Sequence, residues 1–505
     1  MRMSLKRLLK LTLAGSLLAG GLAAPAAAQR PAAGQGLGRP LPAPLVAVPV
    51  AAPDSGQVFS LADLLTYVTL RHPVARQAAL LPERALQEVR FARGLFDPAA
   101  TSKYYGKTFG GKEYFHDWDA SLRVPVWYGL DLKAGFERGV GFSVNPESKT
   151  SQPGLSYVGL SVPLGQGLLI DERRAAVRQA RALQGLAEAE RRGALNKLVL
   201  QAAKDYWDWS LSYQRQALLR QNVELADVRF RAVRERVRLG DLAAIDSVEA
   251  LTELQNRQAT LAQAQVQWQN ATLLLSNYLW DEQQQPRELP ATVRPQVLPA
   301  AWPALPPDSL VALTELAQQL HPELQKSRAK LSQLGVERRL LSNKLLPKLT
   351  LDYNLLQAGQ PFNPETGASF NGSYLQNNYK LGVSFAYPLL LRQERAKLQL
   401  NRLKLRETEL DLQQDTREIQ TGVRTVANDW AALREQLTLQ EQVVRNAERL
   451  RQGEQIRFEN GESSIFLLNS REASLVSARV KLAELQAKYA QTQAMLRWAA
   501  GGVEE

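Results

Sequence analysis

Two spacings of apolar residues divide the chain. Around residues 99 to 163 the period is two. Trp118, Ala120, Leu122, Val124 and Val126 alternate with Asp117, Asp119, Ser121, Arg123 and Pro125. Leu130, Leu132, Ala134 and Phe136 then alternate with Asp131, Lys133, Gly135 and Glu137. The pattern returns later: Leu349, Leu351 and Tyr353 alternate with Lys348, Thr350 and Asp352, and Tyr379, Leu381, Val383, Phe385 and Tyr387 with Lys380, Gly382, Ser384 and Ala386. Successive side chains of a strand point to opposite faces, so these runs predict strands with one apolar and one polar face. Elsewhere the period is seven. Leu398, Leu405, Leu412, Ile419, Val426 and Leu433 form one stripe, and Val423, Trp430, Leu437 and Val444 form a second four positions later. Sustained heptads predict coiled-coil packing. A helix from about Asp171 to Gly240 would reach roughly 100 Å at 1.5 Å per residue, so it must line something elongated.

The two patterns occur twice in the same order. His72-Pro73 recurs as His321-Pro322, Val162-Pro163-Leu164 as Tyr387-Pro388-Leu389, and Asp208-Trp209 as Asp429-Trp430. Gly240, in RLGDLAAID, recurs as Gly461, in ENGESSIF. The last two pairs share an offset of 221 residues (429 less 208, 461 less 240), so the helices between them match without insertion. The implied organisation is two structural repeats. Residues 58–285 carry a helix, strands at 99–163 and a helical hairpin at 171–285 with its tip near 240. A proline-rich linker follows at 286–307. Residues 308–505 carry a helix, strands at 348–388 and a hairpin at 392–500 with its tip near 461. The opening helix, from Phe59 to about Arg93, has Ser60 as its N-cap and Asp63 at N3, and Pro73 and Pro82 break or kink it.

Composition sets the compartment. Arg2, Lys6, Arg7 and Lys10 precede the apolar run Leu11 to Leu22, and Ala26-Ala27-Ala28 offers a cleavage site. Residues 1–28 therefore read as a secretory signal peptide, and residues 29–57, rich in Pro, Ala and Gly, as a flexible leader. The chain has no cysteine, which excludes disulfides, thiolate metal sites and a lipidated cysteine after the signal. Removing the four signal cations from the net charge of +12 leaves +8. Basic and acidic residues are interspersed along helices, as in ERALQEVRFAR, so the excess reads as solvated helix faces and not as a nucleic-acid surface. The strands fit either a soluble sandwich or a membrane barrel. Two features favour the barrel: lengths near those needed to cross a bilayer, and aromatics such as Tyr104, Trp118, Trp127, Tyr128 and Tyr387 near the strand ends.

This ordered set, present twice, resembles the TolC-type outer-membrane efflux protein family over about residues 58 to 500. The resemblance implies a mixed α and β fold. Three chains would share one β-barrel in the outer membrane, in contact with its lipid, and their coiled-coil helices would form an α-barrel through the periplasm. A homotrimer of this kind is a passive conduit of a tripartite efflux or type I secretion system. Its partners are a periplasmic adaptor (membrane fusion) protein and an inner-membrane transporter, with no nucleic acid. Arg238, Leu239, Gly240 and Asp241, with Asn460, Gly461 and Glu462, match the hairpin turns that resemble adaptor-docking ends. Pro163 and Pro388 match the strand-to-helix turns. In the best-studied family pattern, acids six and nine residues after the second glycine form a closing ring. Here those positions are Leu467 and Ser470, a departure from that acidic ring. Asp246 and Glu249 stand at the same distances after Gly240, where threefold symmetry would make them rings of charge. Ile465, Phe466 and Leu467 offer a hydrophobic constriction instead. A second departure is that Pro98 to Pro163 spans 65 positions against 41 for Pro347 to Pro388. The excess holds a hairpin that either joins the barrel, giving 18 strands per trimer in place of 12, or projects outside it.

Two other classes are weighed against the channel. An enzyme finds no support: His72 and His321 are repeat equivalents before proline and read as structural, His116 stands alone in an expected surface loop, and no nucleophile elbow, phosphate loop, metal or cofactor spacing occurs. A periplasmic coiled-coil adaptor would carry one hairpin between small β-domains, whereas this chain has two of equal standing.

Overall fold

The computed structural model describes residues 58–290, 292–296, 302–359 and 377–502, all within one compact unit, Val50–Glu505. The signal and leader expectations lie outside the described residues.

Strand β1 (Val58–Phe59) leads into α1 (Leu61–Arg71) and α2 (Pro73–Arg93). Ser60 caps α1 in a full capping box: its Oγ accepts from the Asp63 amide, and its own amide donates to Asp63 Oδ2, both at 3.1 Å. The break falls at His72-Pro73, whereas Pro82 is carried inside α2. His72 is the N-cap of α2, its Nδ1 accepting from the Val74 amide at 3.2 Å. His321 plays the same part between α5 (Pro307–Leu320) and α6 (Pro322–Asn343), accepting from the Glu323 amide at 3.3 Å.

Six strands follow these helices in space. They are β2 (Ala99–Phe109), β3 (Lys112–Pro125), β4 (Asp131–Val140), β5 (Leu155–Pro163), β7 (Lys348–Ala358) and β8 (Tyr379–Ala386). Among the described residues they form one antiparallel sheet in that order, which does not close on itself; β2 and β8 are its edges. The extra first-half hairpin, β3–β4, is therefore part of the sheet. His116, expected in a loop, lies in β3, between the Tyr104 hydroxyl at 2.5 Å and Glu113 at 2.6 Å. The short pair β1 and β6 (Arg294–Pro295) is parallel, and it ties the proline-rich segment to the start of α1.

Among the described residues, four long helices complete the fold: α3 (Glu172–Arg238, 67 residues), α4 (Ala244–Ser276), α7 (Arg392–Glu459, 68 residues) and α8 (Ile465–Ala499). At 1.5 Å per residue, α3 and α7 each run about 100 Å. In α7 the heptad stripes form the inner face: Leu398, Val423, Val426, Trp430, Leu433 and Leu437 are buried. Two apolar cores hold the shorter helices against this frame. Leu64, Tyr67 and Val68 of α1 pack on Tyr206, Trp209 and Leu275. Ala317 of α5 packs on Val423, Trp430 and Tyr489. Trp209 lies in the first of these cores and Trp430 in the second.

Candidate functional site

The helical hairpins turn at Gly240 and Gly461. In both, the chain enters the left-handed region, with φ of 86° and 79°. The Gly240 amide donates to the Val237 carbonyl at 3.0 Å and the Asp241 amide to the Arg236 carbonyl at 2.9 Å. The Gly461 amide donates to Phe458 at 3.1 Å and the Glu462 amide to Arg457 at 2.8 Å. This paired arrangement satisfies the last carbonyls of a helix and needs a residue free of Cβ strain at the turn. A Cβ at either glycine would meet nothing within 4 Å, so both turns stand clear of the rest of the chain. Arg238, Leu239 and Asp241 at one tip, and Asn460 and Glu462 at the other, are exposed; Arg238 pairs with Glu235 at 2.8 Å.

Just behind the turns, the two tips are packed together. Ile465 joins Val233 and Ala250 in a small buried core, edged by Phe230, Val237, Leu242 and Phe458. Of the three candidate constriction apolars, Ile465 is thus interior, while Phe466 and Leu467 are exposed at 65% and 42%. Ser470 is exposed, and Asp246 and Glu249 are half-buried. Neither of those two carboxylates has an intrachain ion pair or side-chain hydrogen bond among the described residues. Pro163 ends β5, and the chain crosses to the Asp171 N-cap of α3 through a close approach at Gly165, where a Cβ would meet the Pro347 carbonyl at 2.2 Å. Exposed Pro388 precedes Leu391, whose φ of 48° makes the equivalent turn into α7.

One cluster escaped the sequence reading. Glu472 of α8, 3% exposed, is gripped by two guanidiniums from the other hairpin. Arg229 donates to it through Nη1 at 2.7 Å and through Nη2, and Arg257 through Nη1 at 3.0 Å. Arg229 also reaches Asn469 at 2.9 Å, and Arg257 reaches Asn222 at 2.8 Å and Glu253 at 2.7 Å. Burial pushes the Glu472 carboxyl up, but the hydrogen bonds and charges of Arg229 and Arg257 outweigh it and hold it below the usual range. The signal was present: Ile465, Leu468, Glu472 and Leu475 keep heptad spacing, as do Ala250, Leu254, Arg257 and Ala264. A charge on an apolar seam marks a partner across it.

At the opposite end the sheet is two-faced across the four strand pairs from β3 to β8. Val124, Leu132, Leu160, Tyr353 and Leu381 stand opposite one another in one apolar row. The neighbouring row, Arg123, Lys133, Gly159, Asn354 and Lys380, lies on the other face. On that face Lys133 meets Asp352 at 2.7 Å. The apolar face is bare: Leu132, Leu381, Val383 and Phe385 are 47–68% exposed. No described helix is long and apolar enough to cross a membrane.

A family model described as "Outer membrane efflux protein" matches residues 129–279 and 313–502, covering both long hairpins. The chain belongs to the outer membrane efflux protein family. Solved structures similar to this efflux protein include the Campylobacter jejuni CmeC outer membrane channel, at 14% identity over 87% of this chain and 85% of that one, with a TM-score of 0.60. The Vibrio cholerae outer membrane protein VceC is similar at 15% identity over 88% and 96%, with a TM-score of 0.61. The open state of the Neisseria gonorrhoeae MtrE outer membrane channel is similar at 16% identity over 88% and 89%, with a TM-score of 0.61. At these identities the likeness is one of fold. No curated protein sequence matches this efflux protein.

Proposed function

We propose that the protein is the outer-membrane conduit of a tripartite export system. In this reading three copies share one barrel, and their two repeats of paired helices enclose a periplasmic duct. The observation that carries it is the six-stranded sheet, which has a bare apolar face, a polar opposite face and two open edges. Lipid tolerates neither an unpaired strand edge nor a polar face, so such a sheet is stable in a bilayer only when its edges pair with other copies and its polar face lines water. Six strands from each of three copies make 18, a number that encloses an aqueous channel. Cyclic assembly supplies the closure.

The helices support the same reading. Leu225, Val228, Leu273 and Leu274 on the first hairpin, and Leu400, Leu403 and Leu450 on the second, are exposed apolar residues for which a neighbouring copy supplies cover. The exposed turns at Gly240 and Gly461 are the surface for a periplasmic adaptor and an inner-membrane transporter, which supplies the energy. Asp246 and Glu249, repeated by symmetry, form charge rings behind the tip, and Phe466 and Leu467 an apolar one. The test is single-channel recording of the purified native oligomer in a planar lipid bilayer. Small, steady conductance steps are expected. A preparation that never inserts would overturn the conduit reading.

A further inference from the structure

Farther from the turns a groove of about 420 Å³ opens between α3, α4 and α8. That is the size of a small-molecule site. Leu219, Val476 and Val480 give it an apolar floor, as heptad packing requires. Two arginines also line it. Arg257 is 5% exposed; its Nε and Nη1 are engaged by Glu253, Asn222 and Glu472, but Nη2 is buried with no acceptor. Arg215 makes no ion pair or hydrogen bond among the described residues, and its Nε is likewise buried without an acceptor. An unpaired buried donor costs on the order of 1–3 kcal/mol, more when charged, so the groove carries two guanidiniums that the described residues satisfy only in part.

Charge accounting gives the ligand's sign. The cations in and behind the groove are Arg215, Arg229, Arg257 and Lys481; the carboxylates are Glu253, Glu472 and Glu484. Glu472 and Glu253 are held by Arg229 and Arg257, and Glu484 by Lys481 at 3.3 Å. Four cations meet three carboxylates, and Arg215 is the charge left over. A guanidinium presents its N–H groups in a planar fork that matches the oxygens of a carboxylate or phosphate. We propose that this groove binds a small oxyanion, a carboxylate or a phosphate, on the unengaged Nη groups of Arg215, beside the buried charge of Arg257. Asn256, Thr260 and Ser477 line its walls as neutral hydrogen-bonding groups. The site depends only on the helix packing, and it holds whether or not the protein conducts.

The test titrates the purified native oligomer with inorganic phosphate, and separately with acetate, at constant ionic strength made up with chloride. Heat of binding and thermal midpoint are read together. Saturable binding of one oxyanion per chain is expected, with a raised midpoint. Tighter binding of phosphate than of acetate would assign the groove to phosphate-bearing ligands, and the reverse to carboxylates. Arg215→Gln should weaken binding about tenfold or more, the loss of one charged hydrogen bond. Because Arg215 makes no ion pair or hydrogen bond among the described residues, that variant should melt no lower than the native protein when no oxyanion is added. Arg220→Gln, on the exposed side of α3, should bind like the native protein. An absence of saturable binding, as when a second copy's carboxylate fills the groove, would overturn the proposal; so would equal binding by Arg215→Gln.

Discussion

At the scale of single residues, a buried carboxylate is stable only where its charge is matched, and Glu472 is matched twice. Replacing it strands Arg229 and Arg257 in the tip, so Glu472→Ala should cost about 3–5 kcal/mol, read as a lower urea midpoint of the helical circular dichroism signal. An unchanged midpoint would remove Glu472 from this role. Because its folded value is lowered, its contribution is full above the unfolded carboxylate range, near pH 4.3, and is lost as pH falls through the folded value. The two histidine caps act at higher pH. Burial lowers both His72 and His321, and each accepts an amide hydrogen bond that a protonated Nδ1 cannot accept. Their contribution is therefore present above about pH 6.5 and is lost progressively as pH falls toward the folded values. A His72→Asn, His321→Asn double variant keeps a capping oxygen, and its thermal midpoint should be flatter between pH 7 and pH 5 than the native one. Equal slopes would show that the caps do not titrate.

At the scale of elements, the two hairpin turns use one device, yet their surroundings differ. Since a Cβ at Gly461 would meet nothing, Gly461→Ala tests the positive φ alone. It should cost about 1–2 kcal/mol locally, seen as faster protease cleavage at the turn with the global melt intact. An unchanged cleavage rate would mean that the turn is not strained by a side chain. Behind the first turn, the Asp246 carboxylate has no ion pair or side-chain hydrogen bond among the described residues, which suits a group repelled by its own symmetry copies or held by a neighbour. Asp246→Ala should raise single-channel conductance if that carboxylate helps close the duct, and unchanged conductance would discard it.

For the whole molecule, the decisive quantity is the number of strands in the assembly. A cryo-electron microscopy map of the native oligomer should show threefold symmetry and an 18-stranded barrel. A 12-stranded barrel, with β3–β4 folded outside it, would contradict the sheet order found here. The hairpin is also anchored at its inner end: Asp131 is 6% exposed between Arg123 and Arg173, and Arg173 ties it to Asp171, the N-cap of α3. That anchor links the added strands to the helical frame.

The patterns readable in the chain were those that depend on neighbours a few positions apart. Alternation exposed β3, β4, β7 and β8, heptads exposed α7, and Ser60 with Asp63 marked the start of α1, because these features follow from backbone periodicity and local hydrogen bonds. The spacing of a few paired residues pointed to a second run of helices, strands and long helices, and α5 to α8 with β7 and β8 lie at 307–499. Strand β2, with sequence AATSKYYGKTF, shows little alternation, since its register is set by pairing with β3 and not by its own composition. Only the tertiary structure decided that the extra hairpin lies within the sheet and that Ile465 is interior. It alone brought Glu472 to Arg229 and Arg257, more than 200 positions apart, and Arg215 beside Arg257. Contacts of that separation are set by which helix faces meet, and no local period encodes that choice.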